Sequence, residues 1–154
     1  MALPDRIENE GRQIDLRVWP AGDGTRGVIQ VLHGLAEHSA RYDRYARAAN
    51  ERGYSVVAHD HRGHGPQHAP DALGHFADRD GWSKVVSDVD AVNRIVRQHF
   101  PDVPLILLGH SMGGAIASYY LLDHQDKFKG AVISAPAVKV GEGISQGTIT
   151  MSKM

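Results

Sequence analysis

The sequence contains no cysteine. That excludes a disulfide framework, a thiol nucleophile and any cysteine metal site. It has almost no charge imbalance, with 17 Lys and Arg against 18 Asp and Glu, so the basic footprint of a nucleic-acid-binding domain is missing. No apolar run approaches the roughly 18 residues of a membrane span. The longest one ends at Gly109 and has the length of a strand. The start, Met1-Ala2-Leu3-Pro4-Asp5-Arg6-Ile7-Glu8, lacks the basic flank and apolar stretch of a signal peptide. Internal repeats and low-complexity tracts are absent as well. What remains is a 154-residue chain of ordinary globular composition, 42% hydrophobic and 23% charged, long enough for one domain. It reads as a soluble cytoplasmic protein with no cofactor, metal or nucleic-acid partner.

Short apolar runs alternate with amphipathic stretches, the pattern of an α/β fold with a mostly parallel sheet and helices on both faces. Gln13 to Trp19 alternates apolar and polar residues and predicts a strand near a sheet edge. Val28 to Leu32 is continuously apolar and predicts a central strand. Tyr42, Tyr45, Ala46 and Ala49 fall on one helical face, with Gly53 as the C-terminal cap. Tyr54 to Ala58 predicts the next strand, and residues 60–80 a long loop rich in Gly, His and Asp. Trp82, Val85, Val86, Val89, Val92, Ile95 and Val96 mark one stripe of a long helix, with Asp80 as its N-cap and Pro101 as its stop. Leu105 to Leu108 predicts a buried strand. Ser111 to Leu122 predicts a helix with Met112, Ala115, Ile116 and Tyr119 on one face, and Ala131 to Ser134 predicts a last short strand.

Gly109-His110-Ser111-Met112-Gly113-Gly114 lies between the apolar strand at 105–108 and a helix. That is the context of a nucleophile elbow. Turning a strand into a helix within one residue strains the apex, and its neighbours two positions away must be nearly free of side chain. Gly109 and Gly113 supply that room. Ser111 then projects from the carboxyl edge of the sheet, above a helix N-terminus whose dipole favours a developing oxyanion. The alternative reading is a glycine-rich turn with a capping serine. His33-Gly34-Leu35-Ala36-Glu37-His38 follows the central strand, where a second oxyanion donor is required. The N–H groups of Leu35 and Met112 are the candidate donors.

These two segments, together with Asp60-His61-Arg62-Gly63-His64-Gly65 and Ser134-Ala135-Pro136-Ala137, resemble the monoacylglycerol lipase and lysophospholipase branch of the α/β-hydrolase superfamily. The resemblance runs from about residue 10 to residue 140. It implies a serine esterase with Ser111 as nucleophile, Leu35 and Met112 as oxyanion donors, and Gly109, His110 and Gly113 shaping the elbow. It further implies Glu37 and Arg41 at the alcohol end of the pocket, with a loop salt bridge as the alternative. His33, His61, His64 and His110 support loops. A monoacylglycerol or lysophospholipid is the implied substrate, with peripheral membrane contact through a cap.

In such hydrolases the nucleophile is followed in the chain by an acid and then a histidine. Downstream of Ser111 stand Asp123, Asp126, Glu142 and only His124, and both Asp123 and His124 fall at the far end of the elbow helix. The expectation is therefore that residues 1–136 are the N-terminal part of a hydrolase core and 137–154 the start of a cap. The resemblance implies an acid and a base on strands beyond Met154, and the chain alone is expected to be inactive. A His-x-His metal site at His59, His61 and His64, and His33 as a substitute base, are the weaker readings. A binding module without catalysis, or a thioesterase or peroxidase on the same fold, are the alternatives. The strand ending at Ser134 is expected to present an open edge that invites self-association.

Overall fold

The computed structural model describes residues 3–66, 68 and 70–138. The chain opens with a hairpin. Strand β1, Arg6–Asn9, pairs antiparallel with β2, Arg12–Trp19, in a register that sets Asn9 opposite Arg12. Glu10 and Gly11 between them both take positive φ, the geometry of a tight two-residue turn. Sequence periodicity missed β1, because four residues with one apolar member carry too little alternation to register.

β2 then pairs antiparallel with β4, Tyr54–His59, while β4, β3 (Gly27–Leu32), β5 (Leu105–His110) and β6 (Gly130–Ser134) run parallel. The spatial order is β1-β2-β4-β3-β5-β6. β3 lies at the centre and is buried along its whole length, as its unbroken apolar run requires. Ile29 and Val31 face helix α1, Asp43–Asn50, whose Ala46 and Ala49 pack on them. Leu32 faces the other side, against α2, Gly81–His99, and α3, Met112–His124. Buried Gln30 is held there by the Val89 carbonyl and the Asn93 amide.

Three local expectations are corrected. Asp80 stands at the N-cap of α2 but makes no capping bond, because it is in the left-handed region instead of the extended one that aims a carboxylate at the first turn. Its carbonyl accepts from Lys84 instead. The buried face of α3 is Gly113, Ile116, Ala117 and Tyr120, while Tyr119 is half exposed. That helix is apolar nearly all round, so periodicity could not choose a face. The glycines chose it, by allowing close approach to β3. The strands also extend past their predicted ends, to His59 and to His110.

β6 occupies the sheet edge, with most of its residues exposed. Of the stretch expected to begin a cap, 139–154 lies outside the described residues.

Candidate active site

The strand–helix corner at β5 and α3 is one residue wide. Ser111 alone separates His110 from Met112, with φ 51° and ψ −115°. Such a conformation costs a non-glycine residue of order 1–3 kcal/mol and persists only when its surroundings over-determine it. Three main-chain bonds do so here. The Ser111 N–H donates to the Ser134 carbonyl at 2.9 Å, and the Ser111 carbonyl accepts from Ala115 at 3.1 Å and Ala137 at 3.0 Å. The glycines matter as the steric argument required. A Cβ on Gly109 would stand 2.4 Å from the Gly113 carbonyl oxygen, and one on Gly113 only 2.1 Å from that of Leu32. Gly113 is therefore needed mainly for the neighbouring strand, a contact the sequence did not reveal. The Ser111 hydroxyl makes no capping bond to its own helix, which disfavours the reading of a mere N-cap. The residue is partly accessible.

Across from it lies the loop after β3. A Cβ on Gly34 would sit 3.3 Å from Ser111 Cβ, so the two turns face each other with no room for a side chain at position 34. His33, fully buried, fixes this loop. Its Nε2 lies 3.0 Å from the His61 N–H, which can only donate, and its Nδ1 lies 2.8 Å from the Gly34 carbonyl, which can only accept. The proton therefore resides on Nδ1. Because the peptide bond is planar and trans, holding the Gly34 carbonyl toward His33 turns the Leu35 N–H the opposite way. Ala36 follows in the left-handed region, at φ 56°. At the end of the loop the Ser39 N–H donates to Asp60 Oδ1 at 2.6 Å. Among the described residues, no main-chain carbonyl accepts from the N–H of Leu35 or of Met112.

The family described as serine aminopeptidase, S33, matches residues 23–154. The chain belongs to this hydrolase family. Monoglyceride lipase of Mus musculus is 36% identical over 143 residues, which are 88% of this chain and 43% of the lipase. Monoacylglycerol lipase of Mycolicibacterium smegmatis is 35% identical over 144 residues, 94% of this chain and 50% of that one. Among solved structures, a carboxyl esterase from Bacillus coagulans superposes with a TM-score of 0.74 at 32% identity, covering 82% of this chain and 41% of its own. The chain thus spans half or less of the length of these relatives.

The remaining predicted residues divide. Glu37 turns its carboxylate onto the loop. Oε1 accepts from the Gly34 N–H and from the Tyr42 hydroxyl at 3.0 Å, and Oε2 lies 3.6 Å from Arg41 Nε. Burial, then the Glu37 charge, push the Tyr42 phenol up from its ordinary range. Arg41 is 63% exposed at the rim of an open hollow of about 670 Å³ that also reaches Tyr45, His110 and Ser134. A second, mainly apolar cleft of about 450 Å³ runs between Leu35–His38 and Gly63–Pro66, with Leu73 on its wall. His124 sits at the far end of α3, about 18 Å along the helix axis from its start. His33 is committed through both ring nitrogens.

His59 and His61 are completely buried, with ring centroids 4.9 Å apart, and His61 stacks on His33 at 4.3 Å. Among the described residues no hydrogen-bond partner meets their ring nitrogens, and no three His, Asp or Glu side chains group as metal ligands. Burial first, and the neighbouring His33 second, lower His59 to about 3 and hold His61 well below the ordinary imidazole range. The consequence for stability has a definite sign. Unfolded imidazoles take up protons as pH falls through about 6.5, whereas these stay neutral in the fold. Stability is therefore full above pH 6.5 and falls below it, until His59 titrates near pH 3. By pH 4.5 the loss should reach about 2–3 kcal/mol per imidazole. Denaturant titrations at pH 7.5 and 4.5 measure it, and His59→Gln should reduce the difference to the share of His61.

One functional support escaped the sequence reading. Asp88 falls inside the apolar stripe of α2, between Val85 and Val89, and is 1% exposed. Its carboxylate accepts from Arg12 at 2.8 Å, from Arg62 at 2.7 and 2.9 Å, and from Asn9 at 2.9 Å. Arg12 also donates to the Asp60 carbonyl at 3.2 Å. The hairpin and α2 thereby anchor the 60–64 loop, which in turn donates to His33. A charged residue at a core position of a helix was the available signal.

Proposed function

We propose that this chain carries the nucleophile half of a carboxylic ester hydrolase of the monoacylglycerol lipase type, with Ser111 as the acylated residue. The observation that carries the reading is the strained Ser111 corner set against Gly34 of the β3 loop. The serine oxygen attacks the ester carbonyl carbon. Negative charge moves to the carbonyl oxygen, where the N–H groups of Leu35 and Met112 donate to it. Losing one such donor costs about 3–4 kcal/mol in turnover. The C–O bond to the alcohol breaks as that oxygen takes up a proton, and water then releases the acid from the serine.

The proton transfers need an imidazole with an orienting carboxylate. Among the described residues no side chain hydrogen-bonds the Ser111 hydroxyl, so in this reading both partners come from outside them. Arg41, exposed at the rim of the open hollow, offers donors to the alcohol. The apolar cleft beside Leu35 and Leu73 suits an acyl chain and contact with a lipid surface, consistent with a cytoplasmic enzyme peripheral to membrane. The outer edge of β6 suits self-association.

The test is covalent labelling with a fluorophosphonate. The hydrolase carrying this sequence with its acid and base should label, and Ser111→Ala should abolish labelling and cut turnover by about a millionfold. The 154-residue chain by itself should label at a small fraction of that rate. Labelling that survives Ser111→Ala refutes the assignment. Turnover of glycerol monoesters, lysophospholipids and nitrophenyl esters of one acyl chain then tests the substrate class.

A further inference from the structure

We propose that Glu37 is a positioning residue for the oxyanion site rather than a contact for the alcohol. The inference rests on the esterase reading above and assigns a role to one more side chain of that site.

Gly34 faces the serine corner, and side chains grip both of its backbone polar groups. His33 Nδ1 donates to its carbonyl, and Glu37 Oε1 accepts from its N–H. Those two groups belong to successive peptide planes. The first plane carries the Gly34 N–H, and the second carries the Leu35 N–H. His33 holds the second plane through a single hydrogen bond, while the first plane stays free to rock about the Gly34 Cα, since glycine offers little steric resistance, and to carry the second with it. Glu37 closes that freedom by fixing the first plane. Its carboxylate oxygen stands 3.0 Å from where a Gly34 Cβ would be, while Ser111 Cβ stands 3.3 Å from the same point. Tyr42 secures Glu37 by donating to the same oxygen.

The charge of Glu37 is not what the arrangement uses. Both donors reach Oε1, and the Arg41 contact on Oε2 is longer, with an exposed partner. A neutral acceptor of the same shape satisfies both donors. Glu37→Gln keeps that acceptor, and Glu37→Met keeps the length and removes it. A role in gripping the alcohol makes a different demand, because its effect depends on which alcohol leaves.

The experiment uses the full hydrolase, with a glycerol monoester and a nitrophenyl ester of the same acyl chain. Glu37→Met should lower kcat on the order of 10²-fold, the cost of a small misplacement of a catalytic group, with KM little changed. The loss should be equal for the two esters. Glu37→Gln should recover kcat to within about threefold of wild type, and the fluorophosphonate labelling rate should follow the same order. Should Glu37→Met fail to fold, Glu37→Ala with Tyr42→Phe repeats the comparison. A loss confined to the glycerol ester, a Gln variant as impaired as Met, or a Met variant with wild-type kcat each overturns the assignment. A wild-type enzyme that fails to label overturns the esterase reading itself, which separates the two failures.

Discussion

Gly113→Ala should leave little folded protein. Alanine is intrinsically better than glycine within a helix by about 1 kcal/mol, so propensity alone favours the substitution. Sterics oppose it with far greater force. The new methyl carbon would lie 2.1 Å from the Leu32 carbonyl oxygen and 2.5 Å from that of His33. These are backbone atoms at the end of the central buried strand, and no side-chain rotation relieves the clash. α3 must lift from the sheet, giving up the packing of Ile116, Ala117 and Tyr120 against Leu32 and Leu107. A loss of about 4 kcal/mol or more is expected, a large fraction of the 5–15 kcal/mol that holds a domain folded. Gly130→Ala is the control, since its Cβ meets nothing within 4 Å. It should change stability by no more than about 0.5 kcal/mol. Equilibrium denaturation of both variants measures the contrast, and a Gly113→Ala protein within 1 kcal/mol of the parent would contradict it.

Asp88→Ala should cost about 3 kcal/mol, because it strands two largely buried guanidinium groups without the carboxylate that pairs them. The pair formed by Arg6 and Asp15 provides the comparison. Both of its members are solvent-exposed, and Asp15→Ala should cost under about 1 kcal/mol. Raising the salt concentration should weaken the exposed pair and leave the Asp88 contribution nearly intact. The effect should also reach the serine site, since Arg12 and Arg62 tether the loop that donates to His33. Equal losses for the two substitutions would show that the Asp88 cluster contributes no more than a surface contact.

The contrast between these residues also explains what the sequence disclosed. The elbow was legible because its chemistry demands two glycines and a serine at fixed spacing after an apolar strand, and each requirement is local. Leu35 is proposed by the same logic, from its place just after the central strand. The central strand followed from the run Val28–Leu32, whose burial on both faces leaves a continuous apolar signature, and β2 from its alternation. Asp88 stands out as a charge within an apolar stripe, but its role was not legible. Its partners lie 26 to 79 residues away, at Arg62, Arg12 and Asn9, and only the folded chain brings four donors to one carboxylate. The tautomer of His33 likewise depends on a main-chain donor from the 60–64 loop. The face of α3 was ambiguous because an all-round apolar helix has no preferred stripe, and a backbone contact at Gly113 decided it.

Among the described residues, five other than glycine hold positive φ, and three of them, Ala36, Ser111 and Ala135, gather at the carboxyl end of the parallel strands. A redesign that scored only how comfortably each residue fits its backbone would place glycine at all three. It would return a firmer protein with no hydroxyl at the corner. Selecting variants of this chain for heat tolerance alone therefore pulls against keeping its chemistry, and any such campaign must hold position 111 fixed from the outset.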